Sequence, residues 1–393
     1  MRTVPCTVGA RRTCVAAHHL RPVAPGSGIG VRQLRQDMSN LMSPMSLRGV
    51  TVRNRAWVSP MCQYTSVDGH PTDWHLVHLG GLARGGAGLV FQEATAVTAE
   101  GRISPWDAGI WTDAQAADYE RITAFVRAQG AAAGIQLGHA GRKASTSRPW
   151  EPAGSVPVGA GGWPTVSASA LAYGEYAEPL ALTSGEVGEI VQSFTDAAQR
   201  ALQAGFQVLE IHAAHGYLLH QFLSPLSNQR QDEYGGDFAG RTRLTLDVVR
   251  AVRAAVPDNT PLVVRVSATD WVEGGWDVPQ TVELARLLRD NGVDLIDVSS
   301  GGLSPLQQIA VGPGYQVPFA RAVREGAGIP VAAVGLITQV DQAERLLADG
   351  SADAVLLARE VLRNPHWPML AEAALDSTST SWPPQYVRGM PRT

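Results

Sequence analysis

From Leu41 onward the chain alternates, about every 40 residues, between a short apolar run and a longer Ala- and Leu-rich stretch with helical spacing. The apolar runs are Ala56–Ser59, Gly88–Glu93, Ala133–Leu137, Val208–His212, Leu262–Ser267, Leu295–Ser299, Val331–Val334 and Ala354–Leu357. Between and after them the helical stretches cover Trp74–Arg84, Ala114–Gln129, Glu186–Ala204, Gly240–Val256, Val278–Asn291, Val317–Glu325, Gln339–Asp349 and Glu360–Ala374. Strands alternating with helices predict a parallel sheet built from right-handed crossovers. Eight such units predict a (β/α)8 TIM barrel. A doubly wound sheet is the rival, but the Gly-x-Gly-x-x-Gly that usually follows its first strand is absent. One stretch breaks the rhythm. Residues 144–183 are rich in Pro, Gly and Ser and read as an elaborated loop after strand three. The plainer expectation for it is a lid or a bottom-closing hairpin without a catalytic residue.

The barrel pattern fills 41–375. Residues 1–40 carry Arg2, Arg11, Arg12, Arg21, Arg32 and Arg35 against one acid, Asp37. They read as a disordered leader or an over-extended start, with Met38 or Met42 nearer the beginning and only a faint likeness to a transit peptide. Residues 376–393 form a C-terminal tail. Composition then removes whole classes of function. A net charge of −4 and a pI near 6.2 lack the basic footprint of a nucleic-acid binder. No apolar run reaches the length of a membrane span. Cys6, Cys14 and Cys62 are the three cysteines, the last alone in the body of the chain, so no internal disulfide is expected there and a reducing cytoplasm fits. Lys143 is the single lysine, which argues against Schiff-base chemistry.

Barrel sites form where strands stop, so the strand ends hold the candidate chemistry. Strand one ends in Ser59-Pro60-Met61-Cys62-Gln63-Tyr64, strand two in Glu93-Ala94, and strand three in Gln136-Leu137-Gly138-His139-Ala140-Gly141-Arg142. Strand four ends in His212-Ala213-Ala214-His215-Gly216-Tyr217. Its two histidines are either structural, or metal ligands lacking an evident third partner, or two N–H donors converging on one oxygen. In the last case Tyr217 is placed to protonate a neighbouring carbon. Arg265 on strand five needs an anionic or electron-rich partner, either an internal carboxylate or an electron-accepting ring; Gln136 could donate to and accept from the same ring edge. Gly335 after strand seven and Arg359 after strand eight suggest a phosphate site. Cys62 reads as a nucleophile, a thiol that tunes a cofactor, or a small buried residue.

Taken together, these motifs resemble the Old Yellow Enzyme family, in its bacterial, cysteine-containing branch. The resemblance runs from about Leu47 to Arg388 and includes Asn54-Arg55, Leu223-Ser224-Pro225, Asn228-Gln229-Arg230 and Tyr234-Gly235-Gly236. It implies a non-covalent FMN, reduction by NADPH or NADH, and a ping-pong cycle ending on an activated alkene: an α,β-unsaturated aldehyde, ketone, imide or nitroalkene. By resemblance, His212 and His215 bind the substrate carbonyl, Tyr217 donates the proton, Cys62 tunes the flavin and Tyr64 touches the substrate. Ser59, Pro60, Met61, Ala94, Gln136, Arg265, Gly335, Ala358 and Arg359 match flavin-binding positions. Gln385-Tyr386-Val387-Arg388-Gly389 resembles a tail that reaches a neighbouring subunit's site, which implies a homodimer or homotetramer with Arg388 shared. The family pattern tends to end in an aromatic residue near there, from which Met390 and the three residues after it depart. Alternatives are an FMN barrel acting on dienoyl-CoA or on uracil in tRNA, or a barrel that only binds a ligand. An iron–sulfur domain of the first kind has too few cysteines here.

Overall fold

A computed structural model describes residues 39–375 and 382–391. The leader, with Cys6 and Cys14, lies outside this range except for its last two positions. The strands in chain order are β1 (Met45–Leu47), β2 (Val50–Val52), β3 (Ala56–Val58), β4 (Leu89–Ala96), β5 (Ala132–Gly138), β6 (Val166–Ser167) and β7 (Leu180–Ala181). They continue with β8 (Val208–Ala213), β9 (Leu262–Ser267), β10 (Leu295–Ser299), β11 (Val331–Ala333) and β12 (Ala354–Leu357). Eight of them close into a barrel in the order β10–β11–β12–β3–β4–β5–β8–β9, every neighbour pair parallel. The expected (β/α)8 barrel is therefore the observed one. Its strands are nearly continuous runs of buried residues because helices cover one face and inward side chains the other.

The helices begin where the chain supplies caps. Thr72, Thr112 and Thr183 each open a helix, and each donates its own backbone N–H to the side chain three positions on, His75, Gln115 and Glu186. Such boxes contribute about 1 kcal/mol each. The single helix expected over Glu360–Ala374 is two, Arg359–Arg363 and Trp367–Ala374. Pro365 lies between them. It has no N–H to donate and forces Asn364 out of the helical region, to ψ 85°.

β1 and β2 form an antiparallel hairpin ahead of the first barrel strand. Leu47 and Val52 pack against Trp57, Leu89, Phe91, Val208, Val263 and Leu295, residues at the upstream parts of the strands. The hairpin thus plugs the N-terminal end of the barrel. The long loop does not close the bottom; it packs at the other face, where Trp150 meets Tyr64 edge-on at 5.6 Å and Tyr173 lies 4.6 Å from the Lys143 ammonium.

Register brings the polar side chains together. Ala94 is opposite Gln136, Gln136 opposite Glu210, His212 opposite Arg265, Arg265 opposite Asp297, and Ser267 opposite Ser299. β4 runs on past the expected Glu93 to Ala96. A bulge between Gln92 and Ala94 resets its pairing with β5.

Candidate active site

The floor of the C-terminal mouth is a buried ionic network. Arg265 Nη1 donates to Ser59 Oγ (3.0 Å), and its Nε lies 3.2 Å from Asp297 Oδ2. Gln136 Nε2 donates to Glu210 Oε1 (2.7 Å). Burial, reinforced by the Asp297 charge, pushes the Glu210 carboxyl well above the usual carboxylate range. Burial also lifts Asp297, to about 6, against the pull of Arg265. Glu210 therefore holds the proton and Asp297 the charge that faces Arg265. Arg265 has the internal carboxylate partner that one reading expected, and it also lines a cavity at the mouth. Gln136 spends its amide N–H on Glu210 and keeps its oxygen as an acceptor.

Above this floor stand the strand-four residues. His212 and His215 meet edge-on with centroids 5.1 Å apart, and Tyr217 meets His212 at 5.0 Å. His212 Nδ1 accepts from the Ala214 N–H (3.3 Å), which leaves the proton on Nε2. His215 Nε2 lies 2.8 Å from Ser299 Oγ, and Ser299 donates onward to Gln316 Oε1 (3.3 Å). Burial holds both imidazoles well below their ordinary pKa, helped by the charges of Arg265 and Lys143. They are neutral donors at neutral pH. His215 sits at φ 57°, a left-handed conformation that turns its ring and carbonyl out of the strand direction. Gly216 must be glycine: a Cβ there would come 2.2 Å from Gly302 O. Burial raises the Tyr217 phenol well above its ordinary value, with Cys62, Tyr64 and Asp107 adding to it. Tyr217 thus keeps its proton at neutral pH. Among the described residues, no group of three or more His, Cys, Asp or Glu is placed to hold a metal.

Cys62 and Tyr64 follow β3 through Pro60 and Met61, all partly buried at the mouth. Burial raises the Cys62 thiol far above its ordinary value, and the carboxyls of Asp107 and Glu93 raise it further. It is therefore a thiol and not a nucleophilic thiolate. Tyr64 adopts φ 55°. The turn that presents it is held by a buried device absent from the sequence-based reading. The Gln63 N–H donates to Glu93 Oε2 (2.7 Å), and Glu93 Oε1 accepts from His75 Nε2 (2.9 Å). His75 Nδ1 in turn accepts from the Thr72 N–H (2.9 Å), which fixes its tautomer.

On the far side of Arg265 lies a cavity of about 170 Å³ lined by Gly335, Ala358 and Arg359 together with Tyr315, Gln316 and Arg363. Gly335 sits at φ 119°, and a Cβ there would come 2.9 Å from Gln316 Nε2. Arg359 is exposed at the cavity's edge. Ala94 lines a smaller cavity with His139, His212 and Tyr217. Arg388, on the turn Pro384–Gly389, is exposed and lines neither cavity. Sequence reasoning missed Glu210, Asp297, Gln316 and His75, and it named Glu93 and Ser299 as strand ends without a role. A signal existed for two of them. Glu210 and Asp297 are acids inside otherwise apolar strand runs, two residues before His212 and Ser299 and so on the same face.

The family model described as "NADH:flavin oxidoreductase / NADH oxidase family" matches residues 40–377. An NADPH dehydrogenase of Geobacillus sp. (strain WCH70) is 46% identical over 352 residues, 89% of this chain and 98% of its own length. The structure of morphinone reductase superposes with a TM-score of 0.73 at 27% identity, over 88% of this chain and 92% of its own. A 2-naphthoyl-CoA reductase shares the fold, with a TM-score of 0.77 at 24% identity, and the chain spans 52% of its length. The cofactors are accordingly FMN with NAD(P)H, and the site fits them. Arg265 and the Gln136 oxygen suit the polar edge of the ring, while the cavity at Gly335 and Arg359 suits a phosphate. With a match that begins at residue 40, runs through all eight barrel strands and includes a relative identical at nearly half its positions, the chain belongs to the NADH:flavin oxidoreductase / NADH oxidase family, that of the Old Yellow Enzymes.

Proposed function

We propose that this chain is an ene-reductase that uses NADPH or NADH to reduce the C=C bond of α,β-unsaturated aldehydes, ketones, imides or nitroalkenes in a ping-pong cycle. The observation that carries this reading is the convergence of two neutral imidazoles and a protonated phenol at one mouth of the barrel. When bound, FMN supplies the hydride chemistry, between the nicotinamide and the β-carbon. The protein's own residues do the rest. His212 Nε2–H donates to the substrate oxygen. His215 exchanges Ser299 for the same oxygen, and the two donors stabilise the charge that grows there. Tyr217 then delivers a proton to the α-carbon. Arg265 sets a fixed positive charge against the ring edge that becomes negative on reduction.

The test is an absorbance titration of the purified holoprotein with a para-substituted phenol, followed by turnover of cyclohexenone with NADPH. Replacing both His212 and His215 with alanine is expected to weaken phenol binding by roughly 100-fold or more, since two hydrogen bonds to a charged oxygen are lost. Unchanged affinity counts against the reading. Turnover of cyclohexenone separates this reading from a dienoyl-CoA or tRNA-uracil reductase, and a colourless protein would favour a ligand-binding barrel. For Cys62→Ala we expect a flavin potential shifted by some tens of millivolts with turnover retained, because the thiol acts by hydrogen bonding. A folded, flavin-loaded but inactive variant would instead indicate a covalent step.

The same reading covers the assembly. The barrel over 41–375 is the FMN-binding unit, residues 1–40 a leader without a catalytic part, and 376–393 a tail that completes a neighbouring copy's site through Arg388. Support comes from the exposure of Arg388 and from Tyr386, which anchors the turn with Arg84 over its ring (5.2 Å) and His366 edge-on to it (5.7 Å). Among the described residues no helix is long and apolar enough to cross a membrane.

A further inference from the structure

Lys143 is the chain's single lysine, and it lies in the site. It belongs to a short 3-10 turn, Gly141–Lys143, directly after β5. Its ammonium donates to two backbone carbonyls, His215 O and Gly302 O, each at 2.8 Å. It also stands 5.2 Å from the centre of the Tyr217 ring and 4.6 Å from that of Tyr173. Among the described residues it makes no ion pair. This is an unusual use of a cation. A partly buried ammonium with no carboxylate is costly unless something else answers its charge. Here the answer comes from two carbonyl oxygens and two aromatic faces.

Those two carbonyls are placed by left-handed backbone at both residues. His215 is held at φ 57°, and Gly302, at φ 90°, packs so closely that a Cβ would come 2.5 Å from His215 Cα. One ammonium thus ties the end of β8 to the loop after β10, at the turn that presents His215 and Tyr217.

We propose that Lys143 is the positioning residue for the proton donor: its ammonium clamps the His215–Tyr217 turn and stabilises the phenolate that Tyr217 becomes when it protonates the substrate. This rests on the ene-reductase reading above and deepens it. In the step concerned, the Tyr217 O–H bond breaks. The electron pair of the substrate enolate forms the new bond from the α-carbon to that hydrogen. The negative charge passes from the substrate oxygen to the Tyr217 oxygen, where a proton from water later discharges it. Tyr64 and Cys62 surround Tyr217 with groups that oppose this charge. Lys143 supplies the opposite sign.

The charge is also pH-dependent. Burial, and next the Arg142 guanidinium, lower the Lys143 pKa to about 8. The groups facing it are Arg142 on its own turn, Tyr173 from the long loop, and His212, His215 and Tyr217 from the end of β8. Lys143 is fully charged well below pH 8 and neutral well above it, so its help to Tyr217 is present at low pH and lost as pH rises.

The test uses the holoprotein and three forms of position 143. Lys143→Gln keeps N–H donors for the carbonyls but no charge, whereas Lys143→Arg keeps both. Reoxidation of the reduced protein by cyclohexenone is expected to slow by one to two orders of magnitude at pH 7 in Lys143→Gln, the scale of one charge at about 5 Å in a partly shielded site. Lys143→Arg should restore most of it. In the unaltered protein the rate should fall above pH 8, and in Lys143→Arg that fall should vanish. Because there is one lysine, labelling with 15N-lysine gives one side-chain signal, whose titration should share the midpoint of the rate. A Gln variant as fast as the Arg variant would overturn the proposal, as would a rate in the unaltered protein that does not follow the lysine's own titration. If no enone oxidises the unaltered protein, the ene-reductase reading fails instead, while the lysine titration still reports on the clamp.

Discussion

Tyr217→Phe is expected to slow reoxidation by cyclohexenone by two orders of magnitude or more while leaving reduction by NADPH within a few-fold. General acid catalysis contributes on the order of 100- to 10,000-fold where the proton transfer is difficult, and transfer to carbon is difficult. Only the phenolic O–H is removed. The ring remains to pack edge-on against His212, so the imidazole keeps its place. Hydride transfer from the nicotinamide needs no proton from this residue, so the two half-reactions should separate. Rapid-mixing measurements of each half-reaction check this. Equal losses in both would mean that the change disturbs the site as a whole, and no loss in either would remove Tyr217 from the chemistry.

Replacing Arg265 with methionine should have the largest effect on the folded protein. It removes the charge beside Asp297 and the donor to Ser59. Asp297 is then left buried without a counter-charge, next to a Glu210 that burial already keeps protonated. Breaking a buried pair in this way costs about 3–5 kcal/mol, which for a chain of this size is a fall of roughly 5–10 °C in Tm. Flavin content should drop and the potential of the remaining flavin should become more negative, because the reduced ring loses its positive neighbour. A double variant, Arg265→Met with Asp297→Asn, separates the two effects. Stability should partly return once no unpaired charge is buried, while the potential should stay low. Calorimetry and a redox titration measure them. A single variant with full flavin and an unchanged Tm would contradict the assignment.

These residues differ in how far they could be read from the chain alone. The barrel was legible because its signal is local. Each strand is a short apolar run ending in a polar group, and each helix follows at its own period. His212, His215 and Tyr217 could be singled out for the same reason, since a His-x-x-His-Gly-Tyr cluster is unusual at the end of an apolar strand. Their supports could not be. The pairing of Gln136 with Glu210, and of Arg265 with Asp297, depends on which rung of one strand faces which rung of the next. No single run contains that information. Lys143 was noted as the lone lysine and set aside, because its reach to His215, Gly302 and Tyr217 depends on how the turn after β5 folds over two distant loops. The long loop was half legible. Its place after a strand put it at the C-terminal face, while its Pro- and Gly-rich composition left open whether it is a lid there or a hairpin closing the bottom. The N-terminal hairpin, too short to announce itself, took the sealing task.

That hairpin has a consequence for traffic. With Leu47 and Val52 covering the upstream strand ends, the polar strand ends at the opposite face are the ones left open. On the ene-reductase reading proposed above, nicotinamide and alkene then compete for that one opening, and an excess of either reagent should delay its partner.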